Sequence, residues 1–214
     1  KITALTRQKR NPDRINVFLD DEFAFGLAAI TAVSLRIGQT LTASQIDSLQ
    51  ASELKEKAKK IAIGFIEYRP RSLHETRQHL KKKEYPEDAV EHVLERLEAV
   101  ELLNDTAFAR YWVEQRETFK PRSRMALQQE LHQKGIARDV IEEAIAEVDE
   151  LAAASKAAQA KARRWHSLPW QEFRKKLSGF LGRRGFSYSV IGEVTKTLWE
   201  ELSADSSTEN DNFY

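Results

Sequence analysis

Apolar and polar positions between residues 53 and 202 follow one pattern three times, at a spacing of about fifty residues. Leu80 returns as Leu131 and again as Leu181, and an apolar stripe with helical spacing follows in each copy. The stripes comprise Ala89, Val90, Val93, Leu94 and Leu97, then Val140, Ile141, Ala144, Ile145 and Val148, then Val190, Ile191, Val194 and Leu198. Because copies this small bury few side chains, we expect neighbouring copies to stabilise one another as tandem repeats.

Proline and serine mark helix boundaries within each copy. Pro70 and Pro121 are expected to end the leading helices, because the residue before a proline is pushed out of the helical region. Ser72 and Glu75 predict a capping box at the start of the next helix. Ser123 lacks the matching acid and predicts a weaker start.

Glycine marks the end of the middle helix. Gly135 and Gly185 are expected to adopt the left-handed conformation that closes a helix. Glu84 stands at the equivalent position of the first copy, so we expect slight backbone strain there. Each copy therefore predicts three helices, and the three-helix repeats are placed at 53–103, 104–152 and 153–202.

The N-terminal segment, residues 1–52, has a different pattern. Residues 14–19 alternate apolar and polar side chains, which predicts a strand. Asp20-Asp21 predicts a turn before residues 22–25, so we expect a β-hairpin. A short helix over residues 26–35 is expected to follow.

At the other end, residues 203–212 are polar and acidic, without a basic side chain, which predicts a disordered tail over residues 203–214. The whole pattern favours an all-α fold. We expect an elongated, curved tandem array of three-helix repeats, with a small N-terminal segment that contains a β-hairpin.

Composition favours a cytoplasmic protein without a membrane partner. Apolar residues make up 41% of the chain, which is enough for several small cores. No run approaches the roughly 18 apolar residues that a membrane-spanning helix needs. The first residues lack the apolar run of a signal peptide. The absence of cysteine excludes disulfides and thiolate metal sites, and fits a reducing cytosol.

Catalytic and cofactor motifs are missing from the sequence. No two of the five histidines are four residues apart, and His74 and His79 fall on different sides of a helix. There is no glycine-rich phosphate loop or dinucleotide-binding turn, and the Gly-Arg-Arg-Gly at 182–185 is too short for either. We expect neither an enzyme nor a bound metal or cofactor.

Clustered basic residues are the candidate functional residues. Charges nearly cancel over the chain, with 34 basic against 33 acidic residues, but the cations are grouped. The groups comprise Arg69 and Arg71, then Arg116, Lys120 and Arg122, then Arg163, Arg164, Arg174, Lys175, Arg183 and Arg184. Such groups predict contact with phosphates or carboxylates. The alternative is solvated helix faces and helix C-termini matched to the macrodipole, which we favour for Lys81 to Lys83.

Several short motifs are specific when taken together. They are Gln-Lys-Arg-Asn at 8–11, Asn-Val-Phe-Leu-Asp at 16–20, Glu-Phe-Ala-Phe-Gly-Leu at 22–27, Tyr-Arg-Pro-Arg-Ser at 68–72, Leu-Asn-Asp-Thr-Ala-Phe-Ala at 103–109, Glu-Leu-His-Gln-Lys-Gly-Ile at 130–136 and Arg-Arg-Gly-Phe at 183–186. From Lys1 to about Leu202 the sequence resembles the RecX family of regulatory proteins. It departs from the family at Asp21 and Glu84, where glycine is frequent, which puts those two turns in question.

The resemblance implies tandem three-helix repeats, no catalytic activity and a role in homologous recombination, DNA repair and the SOS response. Family members lie in the groove of the filament that the RecA recombinase forms on single-stranded DNA. There they restrain filament extension, strand exchange and ATP hydrolysis. We therefore expect a monomer whose basic residues contact the RecA filament or its DNA. The competing hypotheses are a helical protein that binds single-stranded DNA without RecA, and a scaffold for some other acidic protein.

Overall fold

The computed structural model describes the backbone of residues 1–210 and the side-chain surroundings of residues 1–204. The chain divides into two compact units, Lys1–Leu103 and Asn104–Tyr214. The first unit contains strands β1 (Ile2–Gln8), β2 (Asn11–Leu19) and β3 (Glu22–Ala28) and helices α1 (Ala29–Ala32), α2 (Ala43–Glu67), α3 (Leu73–Lys82) and α4 (Glu87–Ala99). The second contains α5 (Asp105–Phe119), α6 (Arg124–Gln133), α7 (Arg138–Ile145), α8 (Glu150–Trp165), α9 (Trp170–Gly182) and α10 (Tyr188–Asn210). The predicted three-helix repeats are confirmed, one in the first unit and two in the second.

The three strands form an antiparallel sheet in the order β1-β2-β3. Strands β2 and β3 are the predicted hairpin, and its turn holds Asp20 and Asp21 at φ values of 49° and 70°. Strand β1 was not predicted from the sequence, and it pairs with β2. The pairing buries Ile2 completely, together with Val17 and Leu27, in a small core under the sheet.

The helix predicted over residues 26–35 is wrong at its start. Gly26 and Leu27 belong to β3, where they pair with Asn16 and Ile15 of β2. The hydrogen bonds of the sheet satisfy the backbone groups of these residues, so a helix there would forfeit them. Only the short α1 is helical in this stretch.

Helix α2 begins at Ala43 and runs through the position at which the first repeat was expected to start. Thr42 caps it, since its hydroxyl accepts the Gln45 N–H at 3.2 Å while the Gln45 side chain accepts the Thr42 N–H at 2.9 Å. The buried carboxylate of Glu53 accepts the N–H of Ala28 at 2.7 Å. The leading helix of the first repeat is thereby fastened to the N-terminal sheet.

The first repeat consists of α2, α3 and α4 around one core. Its predicted stripe on α4 is buried throughout. The predicted capping box is present, because the Ser72 hydroxyl accepts the Glu75 N–H at 3.1 Å and the Glu75 carboxylate accepts the Ser72 N–H at 3.4 Å. Glu84 has a φ of 61°, a left-handed conformation that costs a residue with a side chain about 1 kcal/mol.

The second unit contains two repeats, each with its own core. Gly135 and Gly185 follow the middle helices at φ values of 77° and 86°, as predicted. Ser123 caps α6 by accepting the N–H of Ala126 at 3.1 Å. Because Ala126 has no carboxylate to return the bond, this start is half of a capping box, which also agrees with the sequence.

Two helices differ in length from the prediction. Helix α7 ends at Ile145, although Val148 beyond it is still buried in the core. Helix α10 continues to Asn210, so residues 203–210, which were expected to be disordered, are helical. Extending an existing helix needs no new nucleus, which favours continuation into a polar segment. The rest of the predicted tail, residues 211–214, lies outside the described residues.

Candidate functional site

The first candidate site is the first joint, where the loop between α2 and α3 carries Arg69 and Arg71. Arg69 donates to both carboxylate oxygens of Glu75, at 3.0 and 3.2 Å, and to the carbonyl of Pro70 at 2.8 Å. Since Glu75 also closes the capping box, it fixes the loop and neutralises Arg69 at the same time. Arg69 is therefore held by an internal ion pair.

Arg71 has a different environment at the same joint. Its guanidinium lies 3.9 Å from the centroid of the Phe65 ring, and its Nε donates to the Phe65 carbonyl at 3.4 Å. His79 stacks on the same ring with centroids 4.0 Å apart and planes 2° from parallel. Arg71 makes no ion pair with any residue that the structure describes. Partial burial, followed by the charge of Arg69, lowers the pKa of Arg71, although Glu75 acts in the opposite direction.

At the second joint, between α5 and α6, the arginines share one carboxylate. The Nε of Arg116 donates to Glu130 at 2.7 Å, and the Nε of Arg122 forms an ion pair with the same carboxylate at 2.8 Å. Trp112 donates its indole N–H to the same carboxylate at 2.8 Å, and the Arg116 guanidinium lies 4.5 Å from a Trp112 ring. The side chain of Glu130 is only 18% exposed, so these bonds are partly shielded from water. Here two cations are fixed and partly neutralised.

The turn after α9 in the third repeat lies against the second joint. The Ser123 N–H donates to the carbonyl of Arg184 at 3.2 Å. The Arg184 guanidinium lies 4.0 Å from the Phe180 ring and makes no ion pair within the described residues. Burial, then the charges of Arg122 and Arg183, lower the pKa of Arg184. Three guanidinium groups are thus neighbours at this place, and Arg184 is the one held on a ring without a carboxylate.

The remaining predicted residues lie on the surface. They are Lys120, Arg163, Arg164, Arg174, Lys175 and Arg183, all of which are exposed. None of them forms an ion pair with a described residue. Arg163 and Arg164 occupy the last turn of α8, where the helix macrodipole also stabilises a cation.

Three residues outside the predicted site contact its arginines or the rings on which the arginines lie. His79, Glu130 and Phe180 occupy one equivalent position of the middle helix, at a spacing of about fifty residues. The repeat alone was therefore enough to single out this position. It was not enough to show what the side chain there contacts, because Glu130 pairs with arginines of α5 and of the joint loop, and His79 stacks on Phe65 of α2.

The chemistry available at these sites is the binding of anions. A guanidinium on an aromatic ring is held in place and partly stripped of water, so it needs little ordering to bind a phosphate or carboxylate. In the described part of the chain, no three His, Asp or Glu side chains converge as metal ligands. Within the same residues, no helix is both long and apolar enough to cross a membrane.

Family models match four successive stretches of the chain. They describe the regulatory protein RecX N-terminal domain at residues 1–42 and the first, second and third three-helix domains of RecX at residues 58–97, 104–145 and 147–195. The regulatory protein RecX of Bacillus subtilis is 32% identical over 213 residues, which cover 97% of this chain and 81% of that protein. The RecX protein of Halalkalibacterium halodurans is 32% identical over 224 residues, covering 95% and 83%. A crystal structure of a regulatory protein RecX superposes with a TM-score of 0.73 at 27% identity, covering 92% of this chain and 98% of the other.

Proposed function

Because the chain belongs to the RecX family of regulatory proteins, we propose that it binds the filament that the RecA recombinase forms on single-stranded DNA. By doing so it restrains ATP hydrolysis, filament extension and strand exchange, as part of recombinational DNA repair and the SOS response. It acts by binding, without catalysing a reaction, as a monomer in the cytoplasm.

The pair Arg71 and Arg184 supports this proposal most directly. Both guanidinium groups lie about 4 Å from a phenylalanine ring, and both lack an ion-pair partner among the described residues. Burial and neighbouring arginines lower both pKa values, which means that each cation is poorly stabilised by the protein itself. An external phosphate or carboxylate relieves that cost, so these positions favour a polyanionic partner.

The other basic residues have different roles in the proposed complex. The exposed cations, which are Lys120, Arg163, Arg164, Arg174, Lys175 and Arg183, provide longer-range attraction to the filament. Arg69, Arg116 and Arg122 are fixed by carboxylates and chiefly hold the joints in shape, so they contribute less to binding.

The proposal is tested by RecA ATPase activity on single-stranded DNA, titrated with Arg71→Glu and with the double variant Arg183→Glu/Arg184→Glu. Each variant is expected to need at least roughly tenfold more protein for half-inhibition, because each reverses charge at a contact. Arg138→Glu is the matched control: it reverses an exposed arginine whose only described ion pair is with Glu142 on the same helix. Unchanged inhibition by the folded Arg71 and Arg184 variants would remove the site assignment.

Direct binding to single-stranded DNA is the alternative, and a salt titration separates it from the proposal. A protein that needs only DNA binds a bare oligonucleotide tightly, with an affinity that falls steeply as salt rises. The proposed function instead requires much tighter binding to the assembled filament than to the same oligonucleotide. Equal affinities for the two would favour the alternative.

A further inference from the structure

An open cleft of about 530 Å³ lies along α2 in the first unit. It is lined by Lys57, Lys60, Ile61, Gly64 and Phe65 of α2, by His79 and Lys83 from the end of α3, and by Tyr85. None of its lysines is among the residues of the proposed function. The cleft adjoins the first joint through Phe65 and His79, but its lysines are a distinct group of cations.

The rim of the cleft is positively charged. Lys60 and Lys83 are exposed and make no ion pair with any residue that the structure describes. The Lys57 ammonium lies 3.4 Å from the buried carboxylate of Glu53, so its charge is partly balanced. No aspartate or glutamate is among the residues that line the cleft. Two unbalanced ammonium groups around one concavity attract an anionic partner.

Gly64 lies on the floor of the cleft, and nothing within the described residues requires a glycine there. It stands inside α2, and a Cβ atom built on it meets no atom within 4 Å. Its φ is not in the left-handed region, so no turn depends on it. A helix interior disfavours glycine relative to alanine. The absence of a side chain leaves room for the close approach of another backbone or side chain to the helix.

Among the side chains of the cleft, Ile61 offers an aliphatic contact and Phe65 offers no free ring face. Ile61 is 38% exposed and offers an aliphatic contact beside Gly64. The Phe65 ring has Arg71 at 3.9 Å and the parallel His79 ring at 4.0 Å, so its two faces are occupied. A nucleobase needs a free aromatic face on which to stack, and Phe65 does not provide one. An aliphatic side chain needs only the apolar floor.

We infer that the α2 cleft binds an acidic segment of a partner protein, with one apolar side chain of the segment on Ile61 and Gly64. Carboxylates of the same segment pair with Lys60 and Lys83. The inference goes beyond the proposed function, because it assigns a partner to Lys60 and Lys83 and requires neither Arg71 nor Arg184. In a complex with a nucleoprotein filament, it assigns this face to protein rather than to nucleic acid.

The test uses the full chain and four fluorescein-labelled peptides of equal length, each combining glutamates with one apolar anchor (Leu, Ile, Phe or Trp). Binding is measured by fluorescence anisotropy beside an all-glutamate peptide and a labelled oligothymidylate. We expect at least one anchored peptide to bind, and Lys60→Glu/Lys83→Glu to weaken that binding at least roughly tenfold. The single variant Lys60→Glu is measured beside Lys59→Glu, which reverses one charge on α2 outside the cleft and serves as the control.

Variants of Gly64 test the inference more specifically than the lysine variants, because Gly64→Ala is expected to increase stability and to weaken peptide binding. Gly64→Ala should raise Tm by roughly 4 °C and weaken peptide binding about threefold, and Gly64→Leu should weaken it at least about tenfold. Gly192→Ala, in α10, should also raise Tm, since a Cβ there meets no described atom within 4 Å. It should leave peptide binding unchanged, because Gly192 does not line the cleft. Absence of peptide binding, or peptide binding that Gly64→Leu leaves intact, overturns the inference. Oligothymidylate binding that depends on Lys60 and Lys83 overturns it in favour of nucleic acid.

These outcomes are independent of the proposed function. Loss of peptide binding in the cleft variants with normal inhibition of RecA by the wild-type chain supports both. Peptide binding without any effect of the wild-type chain on RecA supports only the inference about the cleft. Inhibition of RecA without peptide binding supports only the proposed function.

Discussion

The first and second joints share a Pro-Arg-Ser motif and a helix cap but neutralise different arginines. At the first joint Glu75 holds Arg69, which leaves Arg71 on the Phe65 ring without an ion pair in the described chain. At the second joint Glu130 holds Arg122, the equivalent of Arg71. Within the described residues, the position of Arg71 therefore has an unpaired cation in the first repeat and a paired one in the second, whereas the position of Arg69 is paired in the first repeat and holds the unpaired Lys120 in the second.

Two substitutions on the middle helix contribute to this difference. The middle-helix position that holds His79 in the first repeat holds Glu130 in the second, and only the carboxylate can pair with the joint arginines. The position of Glu75 is taken by Ala126, so the Ser123 N–H bonds to the carbonyl of Arg184 instead of to a side chain. The exposed charge of a joint is set by these positions, and the motif itself sets only the backbone.

The largest expected effect concerns the turn that lies against the second joint. A Cβ on Gly185 would come within 2.6 Å of the Ser123 hydroxyl and 2.9 Å of the Ala126 Cβ, and its φ is 86°. Gly185→Val should therefore lower the free energy of unfolding of the second unit by about 3 kcal/mol. All four tryptophans belong to that unit, so denaturation followed by tryptophan fluorescence measures it.

Gly182→Ala is the matched control for this prediction. Gly182 ends α9, and a Cβ there meets no atom within 4 Å, so the variant should be as stable as the wild type or slightly more stable. A Gly185→Val variant with an unchanged denaturation midpoint would show that the turn does not lie against Ser123.

Much of this organisation was predictable because its signals are local. Pro70, Ser72 and Gly185 mark boundaries through their own backbone chemistry, and the apolar stripes give the buried faces. Strand β1 was missed because it is stabilised by pairing with β2, which no local pattern of that segment reveals. The pairing of Arg122 with Glu130 was missed for the same kind of reason, since it joins a loop to a side chain on the next helix.

The second expected effect tests whether Glu130 prevents Arg116 and Arg122 at the second joint from binding the partner. Glu130→Gln keeps an acceptor for Trp112 but removes the charge shared by Arg116 and Arg122. We expect a loss of about 1–2 kcal/mol in the free energy of unfolding, because the bonds are charge-assisted and only partly shielded. Because Arg122 is released, the variant should also inhibit RecA at a lower concentration than the wild type.

Glu142→Gln is the control for charge alone, since the Glu142 side chain is 54% exposed and pairs with Arg138 on one helix. It should leave the denaturation midpoint and the inhibition of RecA unchanged. If Glu130→Gln weakened inhibition while remaining folded, the paired arginines would be part of the binding surface, and the contrast between the joints would have to be abandoned.

The smallest expected effect is electrostatic and concerns His79. Burial, then the charges of Lys83, Arg71 and Lys82, lower the pKa of His79. Because the unfolded chain binds this proton more readily, the stability of the first unit should fall as the pH drops below the ordinary histidine pKa, and should level off below the folded value. Removing one of these charges in Lys83→Gln should raise the pKa of His79 part of the way to its ordinary value, as measured by NMR titration of the imidazole.

Lys59→Gln is the control, because Lys59 is not among the charges that lower the pKa of His79. It should leave the titration of His79 unchanged. A His79 that titrates at or above the ordinary pKa in the wild type would mean that the first joint already contains a compensating anion. The arginines of the first joint would then be neutralised, as Glu130 neutralises those of the second joint. A lowered pKa that rises when a glutamate-containing peptide occupies the cleft would instead show that carboxylates of a partner supply the charge at the first joint that Glu130 supplies at the second.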